Sequence, residues 1–230
     1  GTLEAAILAL KNRGIPVRRA GIGDVSKRDI VEAEVVRMKD ELKGVILAFN
    51  VKVDNDLEIE ANNKGIRIFK EKILFRLIEN YLSWVEEETT KRRLRAFESL
   101  IKPGKIKILE GYVFRRSEPA IVGVEVQAGL IKPRYPMMND KGKVVGTIAQ
   151  IQDKGQSIPE ARAGMKVAIS MREPVVGRHI REGEILYVAV PENDARLLLK
   201  EYYDMLDDGS KKALEEIVGI MRKIDPLWAR

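Results

Sequence analysis

Residues 83–100 read SWVEEETTKRRLRAFESL, and from Glu86 to Arg93 no large apolar side chain appears. A globular helix normally carries an apolar stripe at spacings of three and four, because packing of that stripe supplies most of its stability. Upstream the stripe is present in Ile73, Leu74, Leu77, Ile78, Tyr81, Leu82 and Val85, and downstream it resumes with Leu94, Phe97, Leu100 and Ile101. Both ends therefore have something to pack on. The bare middle offers Glu87–Lys91 and Glu88–Arg92, acid-before-base pairs four residues apart, each worth a few tenths of a kcal/mol, with the acids leading as the helix dipole prefers. The pattern predicts one helix from about Lys72 to Leu100, stopped by Lys102-Pro103-Gly104. At roughly 1.5 Å per residue it would be about 40 Å long, its polar middle standing in water between two domains. The competing reading, a long surface helix lying along one domain, would require an apolar face through the middle.

Composition agrees with two domains. The 230 residues are 45% hydrophobic and 33% charged with the signs mixed, enough apolar material for real cores. No apolar run approaches the roughly 18 residues needed to span a bilayer, and GTLEAAILALKNRG reads as an amphipathic helix rather than a signal peptide, so a soluble protein is expected. With no cysteine and a single histidine, His179, disulfides are excluded and zinc chemistry is disfavoured. The net charge of +6 and a pI near 9.4 make a polyanionic partner plausible.

In the first domain, Leu3, Ile7, Leu8 and Leu10 lie on a short helix ending at Asn12-Arg13-Gly14, and Ile15-Pro16-Val17 opens an extended segment. Ser26-Lys27-Arg28-Asp29 carries an N-cap and an acid three residues later, opening a second helix. Residues 44–49, GVILAF, form a continuous apolar run of strand length. A polar stretch, Val53–Lys64, reads as a short helix ending at Gly65, and Ile66–Phe69 as another strand. Helices alternating with strands predict a small parallel sheet sandwiched by helices, an α/β domain. The turn GIGDVS at 21–26 has the Gly-x-Gly form that can cradle phosphate, but it lacks the third glycine of the dinucleotide fingerprint; no G-x-x-x-x-G-K-[ST] loop occurs.

From Ile106 the period changes to two. Ile106, Ile108, Tyr112 and Phe114 fall on even positions, as do Val122, Val124 and Val126 beyond the turn at Ser117-Glu118-Pro119. Further strands are expected at Gly129–Ile131, Val144–Ile151, Met165–Ile169 and Ile185–Val190, and such a run of short strands suggests a closed β-barrel. Two helices follow, one bearing Leu197, Leu198, Met205 and Leu206, the other opened by Ser210 and bearing Leu214, Ile217, Val218 and Met221. Basic residues cluster in the expected barrel loops: Arg115, Arg116, Lys132, Arg134, Arg162, Arg172, Arg178, His179 and Arg181. Such a set can grip phosphates without reading bases, or it can be a solvated surface. His179 has no partnered serine or cysteine nucleophile, so anion contact or a turn cap is its expected role.

Taken in order, GTLEAAILALKNRGIPVRRAGIGDVSKRDIVEAE, GVILAFNVKV, KEKILFRLIENYLSWVEE, GYVFRRSEPAIVGVEV and VGRHIREGEILYV resemble the C-terminal half of archaeal and eukaryotic translation initiation factor 5B, the counterpart of bacterial initiation factor two. The resemblance covers essentially the whole chain. It implies the third and fourth domains of a four-domain GTPase: an α/β/α sandwich at 1–71, a long connecting helix at 72–101, a β-barrel at 105–190 and C-terminal helices at 191–230. The family promotes ribosomal subunit joining, and its barrel holds the methionylated acceptor end of initiator tRNA. Carried onto this sequence, tRNA contact is expected at Arg115, Arg116, Arg162, Lys166, Arg178 and His179. Docking of the C-terminal tail of initiation factor 1A is expected at Leu197, Leu198, Leu214 and Ile217, which could equally be the helices' own core. The bacterial pocket for formylated methionine uses a cysteine in the strand after a Gly-Met pair; here Gly164-Met165 is followed by Lys166-Val167-Ala168, which fits an unformylated initiator.

The implied protein is a cytoplasmic monomer working with initiator methionyl-tRNA and both ribosomal subunits and not with membranes. GTP and magnesium would belong to the parent factor; these residues would hold no cofactor and catalyse nothing. Two other readings stay open, a basic RNA- or protein-binding adaptor and a small enzyme using the GIGDVS turn.

Overall fold

The computed structural model describes residues 1–230, which divide into two compact units, Gly1–Arg95 and Ala96–Arg230. The first runs α1 (Thr2–Asn12), α2 (Lys27–Lys39), β1 (Val45–Phe49), α3 (Asn55–Asn63), β2 (Arg67–Glu71) and α4 (Leu74–Ser99), the last helix passing the boundary between the units. β1 and β2 pair in parallel from Val45 opposite Arg67 to Phe49 opposite Glu71. Ile30, Ala33, Ala61 and Ile66 pack with Ile46 and Ile68 on one face of this sheet, and Leu77, Tyr81 and Trp84 of α4 pack with Val45, Leu47 and Phe69 on the other. Two apolar faces explain why GVILAF is continuous rather than alternating. The extended segment after α1 forms no strand; its end is tied by Val25 N–H donating to the Lys52 carbonyl at 3.3 Å.

α4 is held to its own unit farther along than the apolar stripe suggests. Tyr81 donates its hydroxyl to the Leu42 carbonyl at 2.9 Å, and Arg92 reaches Glu41 at 2.6 Å. Lys91 pairs with Glu88 at 3.6 Å, three residues back. The expected Glu87–Lys91 and Glu88–Arg92 pairs are thus replaced, because Arg92 finds a carboxylate on the loop after α2.

The second unit is a six-stranded antiparallel barrel with helices on it. Its strands are β3 (Gly104–Arg115), β4 (Ala120–Ile131), β5 (Pro136–Met138), β6 (Val144–Asp153), β9 (Lys166–Met171) and β10 (Ile185–Val188), with two-residue β7 (Gln156–Ser157) and β8 (Ala161–Arg162) at the margin. The order is β3-β10-β5-β6-β9-β4, and β4 pairs back onto β3, which closes the sheet. β5 is an additional strand; it begins with proline, which cannot donate to a ladder, and here the Pro136 carbonyl accepts from Ala189 N–H at 2.8 Å. α5 (Glu192–Lys200) and α6 (Asp208–Ile224) share the barrel's core through Ala195, Leu198, Leu214 and Ile217. The N-cap of α6 is Asp207, accepting from Ser210 N–H at 2.7 Å; Ser210 itself is buried in the first turn.

One strand changes phase midway. Ile108 lies opposite Val124 and Val113 opposite Val122, so five steps along β3 match two along β4, an odd excess of three residues. Because side chains alternate, an odd excess exchanges inside for outside. Ile106 and Ile108 are fully buried, whereas Tyr112 and Phe114, expected on the same face, are 54% and 63% exposed, and Val113 takes the inward position. The excess is turned out at Gly111, whose φ is +80° and whose N–H donates to Glu182 Oε1 at 2.7 Å.

The last turn of α4 ends on a buried ammonium. Lys102, 5% exposed, donates Nζ to the carbonyls of Glu98 at 2.9 Å and Leu100 at 2.7 Å, and sits 4.8 Å from the Phe97 ring centroid. It thereby satisfies two carbonyls that the helix end leaves open. Its backbone N–H donates to the Tyr135 hydroxyl at 3.0 Å, and Ile101 N–H donates to Asp194 at 2.9 Å. Burial, reinforced by Lys132, lowers the Lys102 pKa from 10.5 to about 8.

Two outcomes follow for unfolding of the barrel unit, read by Trp228 in a Trp84→Phe background. Nothing lies within 4 Å of a Cβ added at Gly111, so Gly111→Ala should cost only the left-handed backbone term, about 1 kcal/mol in urea unfolding; a neutral effect would mean the turn does not depend on that conformation. For Lys102 the ammonium is charged in both folded and unfolded chains below pH 8, and its burial penalty is fully present. Between about 8 and 10.5 the unfolded chain holds a proton the folded chain has released, so stability rises with pH. Relative to Lys102→Met, the native chain should gain on the order of 3 kcal/mol across that window; a difference independent of pH would contradict the lowered pKa.

Candidate nucleic-acid interface

Arg115 closes β3 and Arg116 follows it, next to the turn at 175–180. Val176 N–H donates to the Arg116 carbonyl at 2.9 Å, while the Arg116 guanidinium donates back to the Val176 carbonyl at 3.3 Å. The turn is then built tightly on itself. Arg178 and His179 both donate backbone N–H to the Val175 carbonyl, at 3.1 and 2.9 Å, and Gly177 donates to Ile180 at 2.7 Å. Val175 N–H donates to His179 Nδ1 at 2.9 Å. Because that donor is a backbone amide, Nδ1 is an acceptor and the neutral ring carries its proton on Nε2. His179 is a turn cap, as its sequence context suggested, with a donor left for an anion.

The structure brings four of the six expected contacts together: Arg115, Arg116, Arg178 and His179 share one end of the barrel and are exposed. Arg115 is steadied by the Ser117 carbonyl at 3.0 Å. The nearby acids are occupied otherwise, Glu182 by Gly111 N–H and Glu173 by Thr147 N–H, while Glu118 is exposed in the turn. The four form no ion pair, and neither do Arg172 and Arg181.

Arg162 lies elsewhere, while Lys166, opposite Glu125, is four residues along β4 from Ile121. Arg162 is opposite Leu130, nine residues along β4 from the Ile121 that faces Arg115, or about 30 Å of strand. Both are compensated, Arg162 by Glu160 at 3.3 Å and Lys166 by Glu125 at 4.0 Å. Val167, in the strand that follows Gly164-Met165, is buried in the barrel core.

The docking set is corrected by burial. Leu198, Leu214 and Ile217 are fully buried in the core that joins α5 and α6 to the strands, and only Leu197, 41% exposed, is at the surface. Helical periodicity marks a face as apolar without saying whether it is covered.

The GIGDVS turn does not fit a nucleotide phosphate. The N-terminus of α2 is already served by Asp29, which accepts from Ser26 N–H at 2.9 Å, and Asp24 accepts from Lys52 N–H at 3.0 Å. Carboxylates stand where a phosphate would need positive potential.

Sequence reasoning missed Tyr112 and Phe114 as surface residues. Their rings are 6.4 Å apart at 69°. Gly111 beside them was the available signal, since an isolated glycine in a strand pattern marks a bulge.

Residues 1–82 match the family described as Translation-initiation factor 2, and residues 102–187 match Elongation factor Tu domain 4. A protein of Ignicoccus hospitalis named "Probable translation initiation factor IF-2" is 54% identical over 99% of this chain and 38% of its own length. The chain belongs to the translation initiation factor IF-2 family. The Hyperthermus butylicus member is 52% identical over 100% of the chain and 38% of its own length. Among solved structures, GDP-bound aIF5B from Aeropyrum pernix matches with a TM-score of 0.60 and 48% identity, over 97% of this chain and 38% of that one. The chain therefore spans little more than a third of the family members it matches. The two family matches leave unassigned residues 83–101, which include the polar part of α4, and residues 188–230.

Proposed function

We propose that this chain is the initiator-tRNA-holding part of a cytoplasmic translation initiation factor, one that promotes joining of the two ribosomal subunits and whose GTPase, with GTP and magnesium, lies outside these residues. The observation that carries the reading is the convergence of Arg115, Arg116, Arg178 and His179 on one end of a rigid barrel with no carboxylate paired to them. Arginines without a carboxylate partner, with Arg115 and Arg116 held by backbone carbonyls, suit phosphate gripping, because they need not first break an ion pair. Arg162 and Lys166, already compensated, are secondary contacts. Family membership supports the ribosome and tRNA as partners. For the tail of initiation factor 1A, Leu197 is the remaining candidate contact.

The test is initiator-tRNA affinity across a salt series. The native chain should lose affinity steeply with salt, and Arg115→Ala, Arg116→Ala and Arg178→Ala should each weaken binding and flatten the log–log slope by about 0.7 to 0.9, the loss of one phosphate contact. Arg162→Ala should change the slope least. Equal effects at all four positions, or a flat salt response of the native chain, would overturn the assignment of the basic end.

A further inference from the structure

The register excess in β3 does more than relieve a strand. It carries two aromatic rings to the outside of the barrel beside the unpaired arginines. Tyr112 and Phe114 point outward, and past a further register shift after Val113 it is Arg115 that lies opposite Ile121 on that same outer face. Across the sheet on that outer face the neighbours are small. Gly123 lies opposite Ala168 and Ile121 opposite Ser170, while Val122, Val124, Val167 and Ile169 point into the core. Tyr112 lies directly over Gly123, where an added Cβ would come within 2.7 Å of the tyrosine Cβ. The absence of a side chain at 123 is what lets the ring lie down on the sheet. The near-perpendicular ring pair leaves an open aromatic face above a floor of Gly123, Ala168 and Ser170.

We propose that Tyr112 and Phe114 are a stacking platform for an unpaired nucleobase of single-stranded RNA, with the adjacent arginines holding its phosphates; the proposal rests on the tRNA reading above. Single-strand binders combine these two elements, a cationic track and aromatic faces on which bases stack whatever their identity. Charge decides for RNA over an apolar protein segment. Glu110 and Glu182 stand at the Gly111 end and Glu125 faces Lys166, whereas the Phe114 end runs into Arg115 and Arg116, which meet backbone carbonyls and no carboxylate, so the phosphates belong at that end. Glu110, on the same stretch of β3, lies against Gly183. A free 3′ end of RNA supplies both an exposed base and a phosphate run.

The experiment measures binding of a short labelled single-stranded RNA, and of the same strand carrying abasic sites, to the 230-residue chain. Exchanging both Tyr112 and Phe114 for alanine should weaken the intact strand about tenfold with its salt slope unchanged, and leave the abasic strand's already weak affinity as it was. Phe114→Trp should keep the intact strand bound. Trp228 fluorescence checks that each variant retains its barrel. If the double variant binds intact RNA as tightly as the native chain, with salt dependence preserved, the platform is wrong and the basic end stands. Equal losses for intact and abasic strands would also overturn it, since the aromatics would then matter only to the fold. Failure of the native chain to bind either strand at low salt would remove both the platform and the tRNA reading.

Discussion

The pairing of β3 on both its edges is the constraint on which the second unit depends. Lys105–Lys107 pair with β10 and Gly104–Arg115 with β4, and this double engagement turns a curved sheet into a barrel without free edges. Closure is not compatible with uniform alternation here. The odd excess between Ile108 and Val113 lets β3 begin with isoleucines inside and end with aromatics outside. A further shift between Val113 and Arg115 brings Arg115 opposite Ile121, where β3 stops beside the turn at 175–180. Two successive irregularities, before Val113 and after it, thus place the aromatic pair and the basic end on β3.

Charge on this protein sorts by partner rather than by count. The net charge of +6 is modest, and much of the positive charge is spent locally, as in Arg13–Glu79 at 2.7 Å and Arg92–Glu41 at 2.6 Å. Such exposed pairs contribute little to stability, but they remove those arginines from the pool available to a polyanion. What remains unpaired at the end of β3 is a local field that overall composition does not reveal. Lys102 is the opposite case, a cation withdrawn from solvent to finish a helix on two backbone carbonyls and the face of Phe97.

Much of the architecture was legible in periodicity and punctuation. The continuous run GVILAF identified a strand covered on both faces, and the shift to alternation after Ile106 identified the barrel. Alternation failed at Tyr112 and Phe114 because it assumes an even register, and a glycine at positive φ is the only local trace of the slip. β5, with only three residues, is too short for alternation to mark. Among candidate site residues, residue type and loop position grouped six, of which Arg115, Arg116, Arg178 and His179 come together in space because they flank neighbouring turns. Arg162 and Lys166 look identical in sequence; their separation along β4 and their carboxylate partners exist only in three dimensions. The burial of Leu198, Leu214 and Ile217 was equally hidden, because an apolar helical face reads the same whether it meets a partner or its own barrel.

The most direct test of the central claim is protection of methionyl initiator tRNA against spontaneous deacylation by this chain, with uncharged tRNA binding measured in the same buffer. Engagement of the aminoacyl end by the barrel predicts slowed deacylation that is lost when Arg115, Arg116 and Arg178 are replaced by alanine together. Undiminished deacylation at concentrations where charged and uncharged tRNA bind equally well would contradict it, and would reduce the barrel to a basic surface that does not hold the aminoacyl end.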